Sequence, residues 1–209
     1  MKVEYYSNYS YEKFYHIYNH ASNIDNLFEE ESDCVNFLVK FDKYFGSYFD
    51  VLAYCLMPNH YHFVVKVKSC DSLAINQIKS DSKAISAFQN NEIELNELLQ
   101  DQFRRFHSSV ALKHNIKYKR KGQLFLNRHK HILLPIHKVI EKICYVHHNP
   151  IHHGFCIDYS DWKFSSFNTY KNKLTSKICK STTLRLTNGL SKFIEIHDTY
   201  KKNFGTNLH

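Results

Sequence analysis

Apolar and polar residues change their period several times along this chain, and each change marks an element. Glu12 to Ala21 alternates loosely and predicts a first strand. Asn23 to Phe28 reads as a loop. Cys34, Phe37, Leu38, Phe41, Tyr44 and Phe45 then recur at helical spacing, with Ser32 as the expected cap. Phe49 to Met57 is a dense apolar run, expected as a buried strand. Pro58-Asn59 is a turn, and His60 to Val67 alternates again as the second arm of a hairpin.

Further along, Asp71 to Lys83 predicts a helix through Leu73, Ile75 and Ile78. Glu92 to Asn115 predicts another, through Leu95, Leu98, Leu99, Phe103, Phe106 and Val110. Gly122 to Leu134 has room for a strand at Leu124 and Phe125. A helix starts near Ile136, with Ile136, Val139, Ile140, Ile143 and His147 on one side, and Pro150 is expected to end it. After Gly154 the pattern weakens. Ser176 to Ser191 reads as loop, and Phe193 to Tyr200 as a short terminal helix. Strands and helices mix without strict β-α-β alternation, so the expected class is α+β: an antiparallel sheet with helices packed mainly on one face. Residues 1–175 form the expected main domain and 176–209 a C-terminal extension.

Composition changes this picture in one respect. The chain of 209 residues is 43% apolar, enough for a core, and carries 28 Lys and Arg against 20 Asp and Glu. That excess is concentrated. Gln102 to Ile140 contains no acid, yet holds Arg104, Arg105, Lys113, Lys117, Lys119, Arg120, Lys121, Arg128, Lys130 and Lys138, interleaved with aromatics. A concentrated positive field with aromatic rings suits a nucleic-acid surface, although a solvated basic face shares the pattern. No Cys-x-x-Cys pair, signal peptide or membrane-length apolar run is present, so a cytoplasmic protein with reduced thiols and no membrane partner is expected.

The chemistry concentrates in Asn59-His60-Tyr61-His62. On a strand, residues two apart share a face, so both imidazoles point the same way and can share a metal ion. The spacing alone is weak evidence. With 15 histidines in the chain, about one such pair arises by chance, and His129-Lys130-His131 is a second. Context favours His60 and His62, which open an otherwise apolar strand behind a turn. A second element is Tyr145-Val146-His147-His148-Asn149-Pro150. Tyr145 falls about 180° from Ile136 around the helix, on the polar side with Lys138, Lys142 and Asn149. A surface tyrosine is usually inert, but one beside lysines and an amide is less ordinary.

Met57-Pro58-Asn59-His60-Tyr61-His62 followed by Tyr145 and Asn149-Pro150 resembles the HUH single-tyrosine transposases, specifically the REP-associated tyrosine transposase group. The likeness extends over most of the chain, through Gln102 to Arg105, Lys121 to Phe125, Asp161 to Ser166, and Gly189 with Phe193 to His197. It departs where an arginine is usual: Tyr18-Asn19-His20 in the first strand, and Ile151-His152-His153-Gly154 after the Asn-Pro. These departures leave room for a domesticated protein with altered DNA preference. The resemblance implies a ferredoxin-like (RRM-like) fold and a strand-transfer reaction on single-stranded or hairpin DNA through a 5′-phosphotyrosine. It implies Tyr145 as nucleophile, and His60, His62 and Asn149 as ligands of a divalent metal. Imidazoles alone would favour Zn, Co or Ni, whereas the phosphate substrate and the resemblance favour Mg²⁺ or Mn²⁺. Arg104, Arg105, Lys119, Arg120, Lys121, Arg128, Lys138 and Lys142 are the expected DNA contacts, with Lys138, Lys142 and His148 also candidates for assisting the tyrosine. A homodimer is compatible with all of this.

Two other classes compete. A non-catalytic nucleic-acid-binding domain on the same platform would need no metal, and would display stacking aromatics such as Tyr54 and Phe63. A zinc hydrolase would need a water-activating carboxylate, and neither His-x-His has one nearby; Asp50 and Glu141 are the closest in sequence.

Overall fold

A computed structural model of the chain describes residues 4–22, 26–70, 82–172 and 178–204. The strands are β1 (Phe14–His20), β2 (Phe49–Met57), β3 (His60–Val67) and β4 (Lys130–Leu134). The helices are α1 (Glu31–Phe45), α2 (Lys83–Gln89), α3 (Leu95–Lys117), α4 (Val139–His152), α5 (Phe167–Lys171), α6 (Lys180–Leu186) and α7 (Leu190–Phe204). The sheet order is β2-β3-β1-β4, with every neighbouring pair antiparallel. With α1 joining β1 to β2 and α3 leading into β4, this is the ferredoxin-like arrangement.

Alternation along the strands assigns the two faces. Tyr15, Ile17, Tyr61, Phe63 and Val65 pack against Phe37, Phe41 and Phe45 of α1 and Phe103 and Phe106 of α3. This core is aromatic: Phe41 stacks on Phe63 at 3.9 Å between centroids, and Phe45 meets Phe103 at 4.1 Å. Phe63 is therefore fully occupied under α1, and Tyr54 faces the same side, so neither offers a free stacking platform. The opposite face is covered over β2 and β3. There Ala53, Cys55, Met57 and Val64 meet Val139, Ile143 and Val146 of α4, and Phe167, Tyr170 and Phe193 extend the same core. Helices α1 and α3 thus cover one face of the sheet, and α4 covers β2 and β3 on the other.

Several local expectations shift. Helix α1 is capped by Glu30, not Ser32, because the Asp33 carboxylate accepts the backbone N–H groups of Glu29 and Glu30 at 3.1 and 3.2 Å. Ser32 sits inside the first turn. The strand expected in Gly122 to Leu134 is confined to β4, and Phe125 forms only an isolated bridge to Ala21. Ile136 is exposed in a short 3-10 turn before α4. Pro150 does not end α4, which continues to His152 before Gly154 at φ +72° turns the chain. A proline this late removes one helical bond and leaves the rest of the helix intact. The segment read as loop at 176–191 contains α6 and the start of α7, held by the packing of Phe193 and His197 against His147. The helix expected over Asp71 to Lys83 lies, through residue 81, outside the described residues.

The core also holds neutral histidines. Burial pushes His107 down to about 3, and His131 and His197 down to about 4, from the usual 6.5. His107 is hydrogen-bonded to the Tyr61 hydroxyl at 2.7 Å, and His197 to His147 at 2.8 Å. In the unfolded chain these groups take protons below pH 6.5; in the folded chain they do not until pH 3 to 4. Stability is therefore intact at neutral pH and falls as pH drops through that window, by about 1.4 kcal/mol per pH unit for each proton involved. Urea unfolding followed from pH 7.5 to 4.5 is expected to show this steepening loss. A flat profile would mean that the imidazoles are not held neutral.

Candidate metal and tyrosine site

The hairpin turn at Pro58-Asn59 fixes where β3 begins, and the two-residue period then places His60 and His62 on the face away from α1 and α3. The antiparallel register sets Tyr18 of β1 opposite His62 and His20 opposite His60. His16 shares that face one step further on. Helix α4 lies over the same surface and presents Lys142, Tyr145 and Asn149 at successive turns, with His153 at its C-cap. Together these side chains line one cleft of about 650 Å³. Among the described residues that line the cleft there is no Asp or Glu of the kind a zinc hydrolase needs to activate water.

The ring geometry is tight. His60 and His62 lie 5.1 Å apart between centroids at 80°, and His62 meets the edge of Tyr145 at 5.8 Å. The Asn59 side-chain oxygen accepts from His60 Nδ1 at 2.7 Å, which leaves a lone pair on Nε2. His62 Nδ1 is 3.0 Å from His16 Nε2, and His16 Nδ1 is buried without a partner. If His62 Nδ1 donates to His16, then His62 Nε2 also carries a lone pair, and the unpaired His16 Nδ1 carries the proton. Burial, reinforced by His20 and His153, pushes His60 down to about 4. Burial, with His16 and His60 next, holds His62 well below its usual value. Both imidazoles are thus neutral at pH 7, as metal ligands must be.

Asn149 connects the two halves. Its amide donates to the Tyr145 carbonyl at 2.8 Å, and its side chain lines the cleft with His60 and Tyr145, opposing the downward shift of the imidazole. By donor chemistry, His60 and His62 could supply two nitrogens to one divalent cation and Asn149 an oxygen. Among the described residues no three His, Cys, Asp or Glu side chains are grouped to hold a metal, so an amide is needed to complete a protein triad. Tyr145 is raised by burial, with Asn149 pulling the other way. Lys142 is lowered by burial, and its ammonium lies 4.2 Å from the Tyr145 ring centre.

Of the expected DNA contacts, Lys142 alone lines the cleft. Lys138 is exposed and paired with Glu141 at 2.7 Å. Arg104 and Arg105 ride on α3, which packs against the opposite face, and Arg104 pairs with Asp101. Arg120 braces the loop after α3 through Asn115 and the Gln123 carbonyl, with Lys119 and Lys121 beside it. Arg128 lies over Tyr6 and donates to Gln100. His148 points away from the cleft, toward Tyr159 and Tyr200, which removes it as a proton shuttle. His129 and His131 pack against Phe103 and Tyr9, on the α3 side. The sequence reasoning missed His16, Tyr18, His20 and His153. The first three have strand alternation as their signal, and His153 lies four residues after Asn149.

No protein-family model matches the chain, and no curated protein matches it in sequence. Among solved structures, a REP-associated tyrosine transposase bound to a REP hairpin aligns over 84% of this chain and 90% of its own, with TM-score 0.55 and 16% identity. The chain shares the fold of that transposase. A bacterial tRNA(His) guanylyltransferase-like protein in complex with ATP aligns over 80% of this chain and 72% of its own, at TM-score 0.40 and 11% identity, too low to bear on the fold.

Mn²⁺ binding followed by electron paramagnetic resonance checks the donor set. His60→Ala and His62→Ala are each expected to weaken binding by about tenfold or more. His129→Ala is expected to leave it unchanged, provided the variant remains folded. Equal losses from both His-x-His pairs would remove this site.

Proposed function

We propose that the chain is a metal-dependent single-stranded DNA nicking and joining enzyme of the HUH single-tyrosine type, acting on hairpin or repeat DNA. The observation that carries this is the placement of Tyr145 beside His62, with Asn149 bonded to the Tyr145 carbonyl and lining the same cleft as His60, from elements about eighty residues apart in sequence. The shared fold with a transposase bound to hairpin DNA supports the substrate class.

In the proposed reaction, Tyr145 Oη attacks a backbone phosphorus. A tyrosine–phosphorus bond forms, the bond to the 3′ oxygen breaks, and the phenolic proton ends on that oxygen as a free 3′-OH. The 5′-phosphotyrosine conserves the bond energy, so attack by another 3′-OH rejoins a strand without ATP. Because burial raises Tyr145, the phenolate must be stabilised as it forms. Lys142 is placed to do this, or to hold a phosphate oxygen. Asn149 orients the tyrosine relative to His60. A bound Mg²⁺ or Mn²⁺ supplies polarisation of the non-bridging phosphate oxygens. The two imidazole donors favour Mn²⁺ of the two. Tyr145 reaches the histidines of its own chain, so one copy can complete the site.

Incubation with labelled hairpin DNA and Mn²⁺ is expected to give an adduct that survives SDS. Tyr145→Phe should abolish it, and Lys142→Ala should slow it by about a hundredfold. A folded protein that binds hairpin DNA equally with and without metal, and forms no adduct, would instead be a non-catalytic binder on the same platform.

A further inference from the structure

The cleft is larger than a cation and one phosphate require, and its far wall has a different character. Tyr18 stands opposite His62 in the β1–β3 pairing, with its ring 5.5 Å from that imidazole and stacked on His16 at 4.8 Å. Lys130 stands opposite Tyr18 in the β1–β4 pairing. Its ammonium lies 4.6 Å from the ring centre of Tyr5 and 5.5 Å from that of Tyr18. Tyr5 is held at this edge by its carbonyl, which accepts from the His131 N–H at 2.9 Å, while the residue stays 43% exposed. Among the described residues no carboxylate forms an ion pair with Lys130, and Ile132 supplies apolar lining below.

We propose that Tyr5, Tyr18 and Lys130 form a nucleobase subsite that holds the unpaired base next to the scissile phosphate; this rests on the DNA-nicking function proposed above. Two aromatic faces and a cation suit a base carrying a negatively charged backbone. Lys130 is a flexible amine on a four-carbon stem. A base entering against the tyrosines displaces its ammonium from the rings and leaves it free to meet the adjoining phosphate. The subsite lies one side chain away from His62, within the span of a single nucleotide. It accepts any base that can stack, so it positions the strand without reading its sequence.

The test uses Tyr145→Phe protein, which cannot cleave, and single-stranded oligonucleotides carrying 2-aminopurine at each position in turn, with and without Mn²⁺. One position is expected to show quenched fluorescence through stacking. Tyr5→Leu and Tyr18→Leu, each added to that background, should relieve the quenching and weaken binding about tenfold. Tyr5 is exposed, so its substitution leaves the fold intact and the result interpretable even if Tyr18→Leu disturbs the sheet. Unchanged quenching in Tyr5→Leu, with adduct formation at Tyr145 intact in the parent protein, would overturn the subsite alone. A parent that neither binds single-stranded DNA nor forms an adduct would overturn both proposals.

Discussion

The antiparallel register between β1 and β3 is the constraint on which the rest depends. It sets Tyr18 across from His62 and His20 across from His60, and thereby decides which side chains surround the imidazole pair. A slip of one residue would exchange His16, Tyr18 and His20 for Tyr15, Ile17 and Asn19, and bury polar groups in the aromatic core. That core, with Phe63 under Phe41 and Tyr61 hydrogen-bonded to His107, pins the register from the other side. One face is fixed by packing, and the opposite face carries the histidine pair.

Helix α4 completes the arrangement with a division of its own. Val139, Ile143 and Val146 anchor it to β2 and β3, while Lys142, Tyr145 and Asn149 reach the cleft. The same burial that keeps His60 and His62 neutral also raises Tyr145 and lowers Lys142. Two of these four shifts suit a cation site, since neutral imidazoles can bind a metal. The raised tyrosine opposes phenolate formation, and the lowered lysine holds its proton less firmly beside it. Under the proposed reaction, a cation and a phosphate brought beside Tyr145 would offset that cost.

Much of this was legible in the residues. The limits of β2 and β3 follow from apolar density, alternation and the Pro58-Asn59 turn, each of which is local. The face shared by His60 and His62 follows from the strand period, and the placing of Tyr145 with Lys142 and Asn149 from the helical one. The contributions of His16, Tyr18 and His20 were hidden, because pairing register is not a property of any one segment. His153 was hidden by Pro150, which removes one bond of α4 without ending it. The basic run from Gln102 to Ile140 read as a single field, yet folding divides it among α3, a braced loop, β4 and the start of α4, on both sides of the sheet. Charge density along a sequence does not carry over to charge density on a surface.

The central claim is that the tyrosine beside the histidine pair carries the DNA strand. Peptide mapping of the covalent adduct by mass spectrometry tests it most directly, because Tyr5, Tyr18 and Tyr145 all border the same cleft. The nucleotide is expected on the peptide containing Tyr145, joined through a 5′-phosphate. Attachment at Tyr18 or any other residue, or through a 3′-phosphate, would contradict the account.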